Sequence, residues 1–474
     1  MRILLVKPRA ALNTINRLRS FIFLEPLELG YLAAAVPEGH TARILDLRLS
    51  TKPDRVFRKE LMDYKPDIVG ISGYTHEVSK VLELAKVVRK VLNKALVIVG
   101  GHHATVLPHD YNKDYIDAIV RGEGCAPFRA IVEHAAAGKD FDGIQNVMVP
   151  GEKFDDAGEF KMPIFPDPSD IPTPRRDLWD MDKYRSIWVK EGHTNWETIF
   201  PPVALVRTSY GCVMTCTFCV VPTLYGKRHM TRPPEKVAEE IENISAGHIY
   251  FCDDETFMNT THIRKVAEAI EARGIKKRYF AWARSTTVNN KPELFRLWRR
   301  IGLDGIFLGF EASSDQELKD LSKHATVSDN ERAHKLLREM GIAVHAGFMV
   351  NPEFSEQDFE RLQNYVRGMP PAQVTFTVFT PSPGSPAWFE EKDKFVGNPF
   401  SLHDCMHPLI QTKMPLRQFY RHFSSLVSEG GNKNPLRSTG NRLPPLDIVR
   451  VLYASYTYSR CLRKAYRDYP RKLW

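Results

Sequence analysis

The chain has 474 residues, of which 43% are hydrophobic and 26% charged, so it exceeds one ordinary core and predicts two or three domains of a folded soluble protein. Its net charge is +9, and Arg460, Arg463, Lys464, Arg467, Arg471 and Lys472 crowd the last fifteen residues, a pattern that suits nucleic acid, an anionic membrane surface, an acidic partner or simply a solvated face. No stretch approaches the ~18 apolar residues that span a bilayer, and MRILLVKP lacks a cleavage pattern, so a cytoplasmic location is expected and a disulfide framework is not.

From the N-terminus, short apolar runs alternate with helical patterns. Strands are expected at 3–6, 42–47, 68–72, 96–99 and 118–120. Helices are expected at 27–36, 54–64, 76–91 and 127–137. Five strands with crossover helices predict a doubly wound, Rossmann-like α/β domain over 1–142. Its ligand site belongs at the carboxyl ends of the strands, where Gly100–Gly101 and Gly122–Gly124 fall. Residues 143–197 are rich in Pro and Asp (PIFPDPSDIPTPRRD) and read as a linker. Alternation resumes over 198–385, with strands at 203–208, 248–252, 279–284, 305–310, 343–349 and 373–379. Six repeats describe either an incomplete barrel or another open sheet. From 386 to 474 the pattern becomes mostly helical, aromatic and basic.

Three of the seven cysteines lie in SYGCVMTCTFC, at Cys212, Cys216 and Cys219, directly after a strand. Zinc usually takes four ligands, often as two C-x2-C pairs, and no second pair exists. Three close thiolates without a fourth suit a 4Fe–4S cluster with one iron left open to a substrate.

This C-x3-C-x2-C array resembles that of the radical S-adenosylmethionine (SAM) superfamily, whose array follows the first strand of a partial (β/α)6 barrel. The resemblance implies that the open iron chelates SAM and that an injected electron, from a flavodoxin- or ferredoxin-type donor, yields a 5′-deoxyadenosyl radical. It marks Phe218, Asp253, Asp254 and Glu255 as SAM contacts, with Arg284 in WARST and Glu311 in GFEASS; Lys323 lies in a segment that often follows that glutamate.

The N-terminal motifs PLELGYLAAAV (26–36), PDIVGISGYTHE (66–77), VGGHHAT (99–105) and RGEG (121–124) resemble the cobalamin-binding branch of the superfamily. Cobalamin contacts are thereby expected at Glu25; at Gly73, Tyr74, Thr75 and His76; at Gly100, Gly101, His102 and Ala104; and at Glu123 and Gly124. The absence of G-x-G-x-x-G after the first strand argues against NAD. The mutase motif D-x-H-x-x-G is also absent, so His76, His102 and His103 are candidates for cobalt by position alone, and a cobalt without a protein histidine is expected.

Together these imply hydrogen abstraction from an unactivated carbon, methyl transfer from methylcobalamin and remethylation by a second SAM. TPSPGSPAW (380–388) and HPLIQTKMPLRQFY (407–420) extend the likeness to the hopanoid C-3 methylase group. A lipid or other small-molecule substrate, lipid biosynthesis and a peripheral membrane contact through the C-terminal region would follow, without nucleic acid. Alternatives are methylation or cyclisation of a tetrapyrrole, peptide or antibiotic scaffold, and a non-enzymatic cobalamin or redox sensor. No general base is identifiable.

Overall fold

The computed structural model describes residues 1–151, 162–192, 194–397, 400–433 and 442–473. The first sheet takes β1 (Arg2–Lys7), β3 (Thr41–Asp46), β4 (Ile68–Ser72), β5 (Leu96–Gly100), β6 (Ala118–Val120) and β7 (Val147–Met148) in the order β3-β1-β4-β5-β6-β7. All pairs are parallel except β6 with β7. The short β7, which reverses direction, was not expected from the sequence.

Period-two burial explains the two-sided core. Leu4, Val6, Val69 and Ile71 pack on one face beneath α3 (Pro53–Tyr64) and α4 (Val78–Val91). Ile3, Leu5, Ile68 and Ile98 pack on the other, beneath α2 (Leu27–Ala35) and α6 (Cys125–Ala136). The remaining helices here are α1 (Asn13–Leu18) and α5 (His102–Val106), neither of which was expected. Strand order reverses between β1 and β4, so the carboxyl ends of those two strands open the switch-point crevice.

The second sheet resolves the open choice in favour of a half-barrel. β9 (Val203–Val206), β12 (His248–Phe251), β13 (Arg278–Ala283), β14 (Leu303–Glu311), β15 (Ala343–Val350) and β16 (Gln373–Val378) pair consecutively and in parallel. Ile249, Phe251, Tyr279, Ala281, Ile306 and Leu308 face the surrounding helices and are fully buried. Alternate residues therefore face the concave side. A small antiparallel pair, β10 (Ser209–Tyr210) with β11 (Met230–Thr231), flanks the cysteine loop.

The segment between the sheets is docked rather than loose. β8 (Arg185–Ser186) pairs with β2 (Ile22–Phe23), and Trp188, 5% exposed, caps the amino-terminal end of the half-barrel through its Nε1–H bond to Asp304 Oδ2 (2.9 Å). Glu25 holds this junction together. Its buried carboxylate accepts from Arg176 Nε (3.3 Å), Trp179 Nε1 (2.9 Å) and Leu205 N (2.7 Å).

The C-terminal region closes back on the start of the chain. Thr14 Oγ1 donates to Asp404 Oδ2 (2.6 Å, buried), and α1 packs on the helix α8 (Pro445–Leu462), which follows α7 (Leu416–Asn432). Among the described residues, no helix is long and apolar enough to cross a membrane.

Candidate cluster and corrin site

The end of β12 fixes the backbone that leads into the cysteines. Asp253 accepts from Thr208 N (2.6 Å), Thr208 Oγ1 (2.9 Å) and Ser209 N (2.9 Å); Asp254 accepts from Gly211 N (2.8 Å) and Arg207 Nη2 (3.3 Å). Gly211 is required where it stands, at φ +84°, because a Cβ there would lie 2.2 Å from the Arg228 carbonyl. Thr217 N donates to Leu321 O (3.1 Å), tying the loop to the segment after β14.

Cys212, Cys216 and Cys219 are free thiols on this loop; Cys216 is buried and the other two are half-buried. Burial pushes the Cys219 thiol up to about 12, so a metal centre would have to deprotonate it, as coordination does. Among the described residues, no three His, Cys, Asp or Glu converge as a single ion requires. Three neighbouring thiols on one loop, each of which would take a separate iron, fit the donor chemistry of an iron–sulfur cluster.

Beside the loop, Glu255 Oε1 accepts from Arg284 N (3.2 Å), whereas its Oε2 is buried with no hydrogen-bond partner among the described residues. Burial pushes this carboxyl up to about 7. The orphaned oxygen is what a ligand ammonium group would satisfy. Arg284 donates to the Lys323 carbonyl, and Lys323 Nζ donates to Glu311 Oε1 (2.8 Å). Glu311 sits at φ +61°, where the β14–β15 register shifts, a backbone conformation costly for a non-glycine residue. The fold thus brings Glu255, Arg284 and Glu311 to one end of the half-barrel. Asp253 is occupied by backbone donors, Asp254 holds Gly211, and Phe218 is half-buried on the loop.

A cavity of about 490 Å³ lies between the first sheet and the residues that flank the cysteine loop, Tyr210 and Val220 among them. Gly73, Tyr74, Gly100, Gly101, His102, Glu123 and Gly124 line it, whereas Glu25, Thr75, His76 and Ala104 do not. Gly101 has φ +101°, and a Cβ there would meet Gly73 O at 2.8 Å and Gly73 N at 2.9 Å. This wall is accordingly bare backbone, a cradle suited to the broad face of a corrin.

The three histidines diverge. His103 is engaged with Thr75 Oγ1 (3.4 Å) and Asp110 Oδ2 (3.1 Å), and the His76 ring stacks on Tyr74 at 5.9 Å. His102 faces the cavity, and burial lowers it to about 4, so its imidazole is neutral.

Sequence reasoning missed other wall residues. Lys7, at the end of β1, pairs with Glu28 (2.6 Å) and sits 4.8 Å from the Tyr74 ring centroid. Across the cavity, Arg207 stacks on Tyr210 at 4.7 Å, next to Tyr225. A charged residue at the carboxyl end of a strand beside the switch point was the available signal for Lys7.

Leu205 and Cys252, which line this cavity, lie on the concave face of the half-barrel, which also carries a row of aromatic side chains. Register aligns Leu205, Tyr250 and Phe280, and then Phe307 with His345. Tyr250 stacks on Phe280 (4.9 Å, 18°), and Trp282 lies 4.1 Å from Phe307. These rings lie down because the adjacent strand offers glycine: a Cβ on Gly305 would meet Phe280 at 2.8 Å, and one on Gly347 would meet Phe307 at 2.5 Å. The result is an aromatic floor, with His345 beside it, bonded to Thr375 Oγ1 (3.2 Å) and held neutral by burial at about 4.

A doubly wound domain facing a half-barrel across one cavity, with three thiols after the first barrel strand, defines an enzyme that joins two cofactor systems. Residues 20–132 match the B12 binding domain family and residues 206–366 match the Radical SAM superfamily. The chain belongs to the cobalamin-binding radical SAM family, and its cofactors are a 4Fe–4S cluster, SAM and cobalamin. It is 29% identical over 425 residues to the hopanoid C-3 methylase of Methylococcus capsulatus, covering 89% of this chain and 78% of that one. It is 27% identical over 406 residues to an anaerobic magnesium-protoporphyrin IX monomethyl ester cyclase of Cereibacter sphaeroides, covering 82% of this chain and 64% of the relative. The radical SAM methyltransferase TsrM of Kitasatospora setae, solved with cobalamin and its iron–sulfur cluster, shares the fold: TM-score 0.65, 16% identity, 98% of this chain and 99% of that one.

Proposed function

We propose that this enzyme is a cobalamin-dependent radical SAM methyltransferase acting on an unactivated carbon of a hopanoid-like polycyclic lipid. When bound, the cofactors supply hydrogen-atom abstraction and methyl donation; the chain supplies position and dryness. Cys212, Cys216 and Cys219 would hold the cluster. The free oxygen of Glu255, with Arg284 and Glu311, would orient SAM, and the backbone of Gly73, Gly100 and Gly101 would seat the corrin.

The observation that carries the substrate class is the aromatic floor. Tyr250, Phe280, Trp282 and Phe307 present flat apolar surface on the concave face of the half-barrel, and burial keeps His345 beside them neutral. That surface suits a fused-ring hydrocarbon held by contact area. The likeness to a hopanoid methylase supports the same reading.

The test is anaerobic reconstitution with iron, sulfide and cobalamin, followed by incubation with SAM, a reductant and lipid extract. A lipid gaining one methyl group, together with S-adenosylhomocysteine and 5′-deoxyadenosine, is expected. Cys216→Ala should lose the brown cluster absorbance and all SAM cleavage. Deoxyadenosine without S-adenosylhomocysteine would overturn methylation, and methylation of a non-lipid substrate alone would overturn the substrate class.

A further inference from the structure

The helix α8 has two unlike sides. Asp447, Ala454, Tyr458 and Leu462 face inward and are buried, and Asp447 Oδ2 accepts from Thr198 Oγ1 and Ile199 N, both at 2.8 Å. On the opposite arc Leu446 is 82% exposed, Val449 64%, Leu452 61%, Tyr453 62% and Tyr456 64%. At 100° per residue these five share one stripe, the reverse of the usual arrangement in which a helix turns its apolar stripe inward. Trp196, 58% exposed, stands at the start of the helix, where its N–H donates to the Arg442 carbonyl (2.6 Å).

Charge around the stripe is one-sided. From 442 onward the chain carries eight basic residues and only two acidic ones, Asp447 and Asp468. Asp447 points inward, and Asp468 is bonded to His407 Nε2 (3.2 Å). Arg460, Arg463, Lys464 and Arg467 are exposed at the far end of the helix, and among the described residues none of them forms an ion pair. An apolar stripe that includes two tyrosines, with Trp196 at one end and uncompensated cations at the other, matches the interior and headgroup layers of an anionic bilayer.

We propose that α8 is a membrane-docking face, on which the enzyme lies in the interface of a bilayer containing anionic lipid, with Leu452 and Tyr453 toward the acyl chains and Arg460 and Lys464 among the headgroups. This proposal does not rest on the substrate reading, since it uses only the surface of α8.

Co-sedimentation of the full-length holoenzyme with vesicles tests it. Binding is expected to phosphatidylcholine mixed with phosphatidylglycerol, to weaken with salt, and to be much lower with phosphatidylcholine alone. Leu452→Asp and Arg460→Glu should each reduce vesicle binding by about tenfold or more while leaving SAM cleavage in solution and thermal unfolding unchanged. Equal partition of wild type and Leu452→Asp, or no sedimentation with anionic vesicles, would overturn the proposal. So would a wild-type dimer, in size-exclusion with light scattering, that Leu452→Asp dissolves while vesicle binding persists; the stripe would then serve a second copy.

Discussion

Adjacent glycines at the end of β5 should respond unequally to the same added methyl group. Gly101 has φ +101° and ψ −165°, a region essentially restricted to glycine. An alanine there would also drive its Cβ to 2.8 Å from Gly73 O, 2.9 Å from Gly73 N and 2.9 Å from Ser72 Oγ, where two of the three obstacles are backbone that cannot swing aside. The conformational cost alone is about 1–3 kcal/mol, and the backbone clash raises the total to ~3 kcal/mol or more, a large share of a typical domain's stability. A Cβ on Gly100 would meet Val120 O at 3.5 Å, an ordinary contact. Gly101→Ala should therefore lower the urea midpoint of the N-terminal domain and abolish cobalamin retention, while Gly100→Ala leaves the midpoint near wild type. Cobalamin retained after anaerobic gel filtration, read by its visible absorbance, and a urea transition followed by fluorescence are the two assays. Equal midpoints and equal cobalamin content in both variants would refute the cradle.

Two further outcomes follow from buried charges. Glu25→Ala removes the acceptor shared by Arg176, Trp179 and Leu205, and leaving those donors buried should cost about 3 kcal/mol, read by urea denaturation, with Glu25→Gln intermediate; an unchanged Ala variant would contradict its role as the junction. His407 is buried, which by itself would lower it, but Asp404 Oδ1 at 2.9 Å and Asp468 Oδ2 at 3.2 Å outweigh burial and raise it to about 9. Its folded value exceeds its unfolded one, so its contribution is complete below about pH 6.5 and is lost as pH rises through about 9, up to roughly 3 kcal/mol. His407→Gln should flatten that decline in a series of denaturation curves; a wild type equally stable at pH 6 and pH 9.5 would refute the pairing.

Local signals carried much of the architecture. The apolar runs that became β1, β4 and β5 are short and continuous because both faces of a parallel sheet are covered, and the cysteine spacing needs only one loop to be read. The loop glycines were legible for the same reason: Gly73, Gly100 and Gly101 do line the cavity. Short pieces such as α1 and β7 were not, since they hold their conformation by packing against distant segments rather than by periodicity.

What the sequence by itself determined is the pair of α/β units and the trio of thiols between a strand and a helix, because hydrophobic period and ligand spacing are properties of neighbours along the chain. Only the tertiary structure decided which charges meet. Glu25 stands beside the expected corrin motif, yet its carboxylate binds Arg176 and Leu205, some 150 and 180 positions away. Asp253 likewise holds the backbone amides of Thr208 and Ser209, 45 and 44 positions away, while Lys7 faces the cavity. A buried polar group is satisfied by whatever the fold places within about 3 Å, and that distance is independent of separation in sequence.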